Sequence, residues 1–106
     1  MRPVIVLTTV GAGFDAAALS RELVELHLAA CVNIVEQIRS IYRWEGRVED
    51  DSEQLLVIKT VEEQIGPLRD ILFARHPYEV PEFVVVPIER IEGPYHDWLI
   101  AAVSPS

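Results

Sequence analysis

The chain has 106 residues, enough for one domain and too few for two cores. Half of them are hydrophobic and a quarter are charged, a balance too apolar for intrinsic disorder and sufficient for an ordinary core without staples. Nine basic against seventeen acidic side chains leave a net charge of -8, which repels a phosphate backbone and argues against nucleic acid as a partner.

The first segment, Pro3 to Thr9, is a compact apolar and β-branched run closed by Gly11-Ala12-Gly13. It reads as a strand in the middle of a sheet, buried on both faces. Its run Val4 to Leu7 is followed by Thr8 and Thr9 and is far shorter than the roughly 20 residues of a membrane helix. It is also too short for the hydrophobic region of a secretory signal, so no membrane segment is expected and the cytosol is the default location. From Asp15, a plausible N-cap, Leu19, Leu23, Leu26 and Ala30 recur at helical spacing and form the stripe of an amphipathic helix. The single cysteine, Cys31, follows; it forbids an internal disulfide and a paired-cysteine zinc site.

Val32 to Trp44 and Val48 to Thr60 are two long strand-like runs joined at Glu45-Gly46, the form of a tight hairpin. A register set by that turn alone puts Val32, Ile34, Ile38, Tyr42 and Trp44 on one face with Leu55 and Val57. Val35, Ile41, Leu56 and Ile58 then take the other. Arms of about a dozen residues at about 3.3 Å each outrun a helix of about 15 residues, so the ribbon is expected to project beyond its core. Thr60-Val61-Glu62-Glu63 has the form of a capping box, and Gly66-Pro67 offers a second helix start; either helix ends near His76. Pro77 and Pro81 bracket a stiff loop, Phe83 to Val86 reads as a strand, and Tyr95 to Ala102, after Gly93-Pro94, as a short helix. The order βαββαβ plus a terminal helix predicts a single domain over residues 1–106, a ferredoxin-like α+β sandwich with a long projecting hairpin. Two helices cover one face of a four-stranded sheet, yet the strands are apolar on both. A symmetric homo-oligomer that buries the open face is the simplest resolution.

Several residues are candidates for chemistry. Gly11-x-Gly13-x-x-Ala16 imitates a dinucleotide fingerprint, but the chain runs on into a hairpin instead of a second crossover, so the glycines are read as a turn. Cys31 is either a small buried hydrophobe or a soft metal ligand. Glu45, Glu49, Asp50, Asp51 and Glu53 crowd around Arg47, as a solvated edge or a weak hard-cation site. Tyr42 and Trp44, on an arm leaving its core, suit an interface. His76-Pro77-Tyr78-Glu79-Val80-Pro81 sets an imidazole, a phenol and a carboxylate on a rigid loop, for binding or as a structural turn. Lys59, closing an apolar strand, pairs with a carboxylate such as Glu53 or Glu79, or contacts a ligand.

In combination, Ala29-Ala30-Cys31-Val32-Asn33, Ser40-Ile41-Tyr42-x-Trp44-Glu45-Gly46, Glu53, Lys59-Thr60, His76-Pro77-Tyr78-Glu79-Val80-Pro81-Glu82 and Tyr95-x-x-Trp98 resemble the divalent-cation tolerance (CutA) family over nearly the whole chain. The resemblance implies a ferredoxin-like protomer in a tight homotrimer similar to the PII signalling proteins. It also implies tolerance to copper and other divalent cations, with Cys31 and His76 as soft metal ligands and Glu53 as a harder one. Tyr42, Trp44, Glu53, Lys59, His76, Tyr78 and Pro81 match positions around the cleft between subunits. Two expectations follow, neither needing an organic cofactor. One is a non-catalytic homotrimer that binds metal ions; the other is a PII-like sensor that binds a small anion at Lys59 in the intersubunit clefts. The acylphosphatase branch of this fold needs an arginine in an anion-cradling loop after the first strand, and Thr8 to Phe14 has none. An RNA-recognition domain of the same order needs a basic surface.

Overall fold

Alternating burial organises the first strand. In β1 (Pro3–Gly11) Val4, Val6, Thr8 and Val10 are each at most 3% exposed, while Ile5, Leu7 and Thr9 stay half-buried on the other side. This corrects the expectation of burial on both faces. The computed structural model describes residues 1–105, in which β1 lies inside a four-stranded antiparallel sheet. With β2 (Cys31–Trp44), β3 (Arg47–Val61) and β4 (Val84–Pro87), the strand order is β2-β3-β1-β4, which is the ferredoxin-like arrangement.

The turn after β1 leads straight into α1 (Ala16–Glu25), whose first turn is capped by the Asp15 carboxylate accepting from the Ala18 N–H at 3.0 Å. The helix closes with His27 in the left-handed region (φ 60°). The Leu28 N–H then reaches back to the Leu23 carbonyl and the His27 N–H to that of Val24, a Schellman motif built without glycine. The Gly11-x-Gly13 string is a turn, as the sequence indicates: the Phe14 N–H donates to the Gly11 carbonyl, and no parallel crossover follows.

β2 and β3 form the ribbon, turned by Glu45 and Gly46, both at positive φ (49° and 78°) as a two-residue hairpin demands. Between Val35 and Ile38 the register shifts: three steps along β2 match two along β3, from Leu55 to Glu53. This bulge inverts the parity of everything before it. Val32 and Ile34 therefore pair with Ile58 and Leu56 on the helix side, and Val35 moves to the Leu55 side, opposite to the faces predicted from the turn alone. Beyond the end of β1, the pairs from Arg39–Ser52 to Trp44–Arg47 have no third strand beside them. The ribbon thus projects, and the molecule measures 46 × 26 × 22 Å.

The capping box predicted at Thr60 is not made. The Thr60 hydroxyl is buried and donates to the Leu28 carbonyl at 2.7 Å, while β3 continues to Val61 and a 3-10 turn (Glu62–Gln64) precedes α2 (Ile65–Arg75). Leu19 and Leu23 of α1 and Leu68 and Leu72 of α2 pack on Val6, Val10, Leu56 and Ile58, the main core. The terminal helix α3 (Gly93–Ala102) adds a smaller cluster in which Leu99 and Val103 meet Ala30 and Val61. Of the opposite face, α3 meets only the end at Lys59 and Val61; elsewhere Ile5, Leu7, Leu55 and Val57 are only half-buried, and Val84 and Val86 are exposed. None of the helices is long and apolar enough to cross a membrane among the described residues.

Candidate functional site

Pro77 ends α2 and turns the chain back beneath the root of the ribbon. His76, at the helix end, is 9% exposed and has both ring nitrogens engaged: Nε2 lies 2.8 Å from the Thr9 carbonyl, and Nδ1 accepts from the Tyr78 N–H at 3.1 Å. That pair of partners selects the neutral tautomer protonated on Nε2. Burial lowers its pKa below the usual 6.5, against the raising effects of the Thr9 carbonyl and nearby Glu53. The Tyr78 ring leans on the imidazole at 4.9 Å between centroids, and its hydroxyl donates to Glu53 Oε2 at 2.5 Å. Burial, then the Glu53 hydrogen bond, push the Tyr78 phenol well above its ordinary value.

Glu53 sits on β3 where β1 ends, opposite Gly11 and Ile38. It is 6% exposed, and no cationic side chain lies within 4 Å of it among the described residues. Beside it opens a cavity of about 500 Å³. Ser40, Tyr42 and Trp44 form the ribbon wall; Tyr78, Glu79, Val80 and Glu82 form the loop wall; Thr9 and Glu53 close the base. The Tyr42 hydroxyl donates to Asp51, which with neighbouring carboxylates pushes that phenol up to about 12. Both tyrosines are therefore neutral donors at physiological pH.

The structure brings together Tyr42, Trp44, Glu53 and Tyr78, with His76 immediately behind, and leaves Cys31, Lys59 and Pro81 out of the cavity lining. Cys31 pairs with Lys59, six residues along β3 from Glu53, a separation of about 20 Å at strand rise. No group of three His, Cys, Asp or Glu side chains poised for a metal ion occurs among the described residues of one protomer. Lys59 pairs with neither Glu53 nor Glu79; its ammonium lies 5.7 Å from the centroid of the Tyr95 ring. Sequence reasoning missed Gln54, whose amide donates to the Gly11 and Phe14 carbonyls at 3.0 and 2.9 Å and fixes the turn beside the cavity. It also missed Thr9, Ser40 and Glu82 in the lining. A polar residue at an inward position of β3 was the available signal for Gln54.

Fold and site together define a ferredoxin-like α+β chain with a largely uncovered sheet face, a projecting ribbon and an acidic, aromatic cavity at the ribbon's root. Residues 4–102 match the family described as CutA1 divalent ion tolerance protein. The divalent-cation tolerance protein CutA of Thermus thermophilus is 46% identical over 95 residues, covering 90% of this chain and 92% of its own. Human protein CutA is 45% identical over 84 residues, 79% of this chain. The chain spans about half the length of that human relative (47%). The crystal structure of CutA1 from Oryza sativa superposes with a TM-score of 0.90 at 38% identity, covering 100% of this chain and 97% of its own. The chain belongs to the CutA1 divalent ion tolerance family.

Proposed function

We propose that the protein acts in the cytosol as a non-catalytic homotrimer in the response to divalent cations, copper among them. The observation that supports the assembly is the uncovered sheet face, where Ile5, Leu7, Leu55, Val57, Val84 and Val86 meet no second layer while the helix face is sealed. An apolar face of this kind calls for a partner, and copies of the same chain are the simplest supply. Metal binding then belongs between copies. Cys31 is half-buried on that face, and only a symmetric assembly brings several of its thiolates near one another. His76 has both nitrogens committed to the backbone, so it binds metal only if the loop rearranges. The relatives' names, which speak of divalent-cation tolerance, support the ion class. Cytosolic placement draws on the single unpaired cysteine.

Native mass spectrometry with Cu²⁺, Cu⁺ and Zn²⁺, on wild type and Cys31→Ala, tests this reading. The expected result is a trimer whose stoichiometric copper disappears with the thiol. A monomer overturns the assembly, and a trimer indifferent to metals overturns the metal role.

The second reading, a PII-like sensor, has the cavity in its favour. Its anionic form is weakened by the same geometry: Lys59 stands outside, and the lining supplies Glu53, Glu79 and Glu82 with no Lys or Arg.

A further inference from the structure

Contact between copies buries what one chain leaves half-covered, and a charge caught in such a contact needs an opposite charge beside it. Glu53 is in that position. On β3 it has the parity of Leu55 and Val57, so it stands on the sheet face assigned to the contact, and it is 6% exposed in one chain. The Tyr78 hydroxyl donates to its Oε2, and no cationic side chain lies within 4 Å among the described residues. A second copy that covers the cavity strips water from this carboxylate, at a cost that falls only if the copy brings a cation.

The chain offers few. Four of its eight arginines are committed to carboxylates of their own chain: Arg2 to Glu62, Arg39 to Asp50, Arg47 to Glu49 and Arg75 to Glu22. Arg69 lies over the Phe73 ring on α2, and Arg21 belongs to the helix layer. Arg90 follows β4 in an exposed loop, and Arg43 points to the side of the ribbon opposite Tyr42 and Trp44. Lys59, the only lysine, differs from all of these. It shares the parity of Glu53, is half-buried, and meets no carboxylate within 4 Å among the described residues. Its ammonium has the Tyr95 ring for a neighbour, 5.7 Å away. Six residues of strand, about 20 Å, keep it from the Glu53 of its own chain. The face therefore has an acidic end, an apolar middle and a basic end.

We propose that a second copy of the chain completes the cavity at the ribbon root, with Lys59 of the partner subunit pairing with Glu53. The pairing rests on the homo-oligomeric assembly proposed above and names the residue that the neighbour contributes. Each copy gives its lysine to one neighbour and receives one from the other, so a closed ring satisfies every Glu53 and every Lys59 with a single kind of contact. The Tyr78 hydroxyl orients the carboxylate that receives the ammonium. Glu79 and Glu82 line the same space and remain in excess over the incoming charge, so the completed cavity stays unfavourable to an anion.

A chain with one lysine makes the test direct. A water-soluble carbodiimide joins an amine to a carboxylate in contact with it and leaves no spacer. The full chain is treated with it, run on a denaturing gel and mapped by peptide mass spectrometry, while native mass spectrometry gives the copy number. Covalent multimers carrying an amide between Lys59 and Glu53 are expected. Lys59→Arg is expected to lose that amide and keep the assembly. A shielded pair escapes the reagent, so a dilution series in the ultracentrifuge reads the affinity as well. Lys59→Met and Glu53→Gln are each expected to weaken assembly by about tenfold or more, and the double variant little further than either alone. An assembly in which the two losses are additive or absent, or in which Lys59 is joined to another carboxylate, overturns the pairing. A monomeric wild type overturns the assembly and the pairing with it, whereas a dimer carrying the Lys59–Glu53 amide overturns the trimer alone.

Discussion

The two faces of the sheet are built from similar residues and end in opposite states. On β3, Leu56 and Ile58 are fully buried beneath α1 and α2, while their neighbours Leu55 and Val57, equally apolar, are only half-buried. Hydrophobicity alone does not decide burial; the supply of covering elements does: α1 and α2 cover one face, and α3 reaches only the Lys59–Val61 end of the other. The sharpest break of this comparison is Ile58→Ala against Val57→Asp, adjacent residues on one strand. Ile58→Ala is expected to lower unfolding free energy by about 2–5 kcal/mol in denaturant titrations, through lost transfer energy and the cavity left behind. Val57→Asp is expected to leave the far-ultraviolet spectrum intact and to drop the sedimentation mass from that of the proposed trimer towards monomer. A Val57→Asp chain with unchanged mass removes the open face as an interface.

Polar groups on the covered face sharpen the contrast further. Thr8 and Thr60 are both fully buried, yet only Thr60 has a partner, the Leu28 carbonyl; the Thr8 hydroxyl has none. Thr60→Val is expected to cost about 1–3 kcal/mol, since it strands a buried carbonyl, whereas Thr8→Val removes an unsatisfied hydroxyl and is neutral or stabilising by about 1 kcal/mol. Chemical denaturation of the two variants side by side reads the difference, and equal losses contradict the hydrogen-bond assignment.

How much of this was legible in the sequence follows the same division. Strand and helix order, the Glu45-Gly46 hairpin, the Asp15 cap, the uncovered face and the projecting ribbon were readable, because each rests on local periodicity or on counting layers. The facing of Val32, Ile34 and Val35 was not. It depends on one extra residue between Val35 and Ile38, and a bulge leaves no mark in an alternating apolar pattern. Thr60 matched a capping pattern but was taken by a tertiary partner, Leu28, thirty-two residues away. At the site, the stiff loop and the ribbon aromatics were visible as candidates, and their convergence on Glu53 was a matter of register. Within one chain Lys59 stands apart from Glu53 for the same reason: strand parity puts it on the Glu53 face, but six residues along β3 and beside α3.

Where the covered face meets the loop, His76 ties α2 to β1, and its protonation is expected to loosen that seam. The unfolded imidazole titrates near the usual 6.5 and the folded one lower, so the unfolded chain holds the extra proton more readily. The stabilisation is complete above about 6.5 and is lost as pH falls through the depressed folded value. A second proton, on Nδ1, would also displace the Tyr78 N–H. Thermal melts from pH 7.5 downward should therefore fall more steeply for wild type than for His76→Gln. Parallel curves contradict the assignment, and nitrogen chemical shifts showing protonated Nδ1 at neutral pH contradict the tautomer.

The smallest effect lies at the rim, where α1 ends at His27. A non-glycine residue in the left-handed region carries a backbone cost of about 1–2 kcal/mol, and His27 offsets part of it through Nδ1, 3.1 Å from the Ala102 carbonyl at the end of α3. The two contributions separate by substitution. His27→Gly relieves the backbone and gives up the link to α3, so its stability is expected to stay within about 0.5 kcal/mol of wild type. His27→Ala gives up the link and keeps the strained backbone, for a loss of about 1 kcal/mol. If His27→Gly is instead clearly destabilised while His27→Ala matches it, the link to α3 outweighs the turn. The terminal helix would then be held at this corner by a side chain, in addition to its packing on Ala30 and Val61.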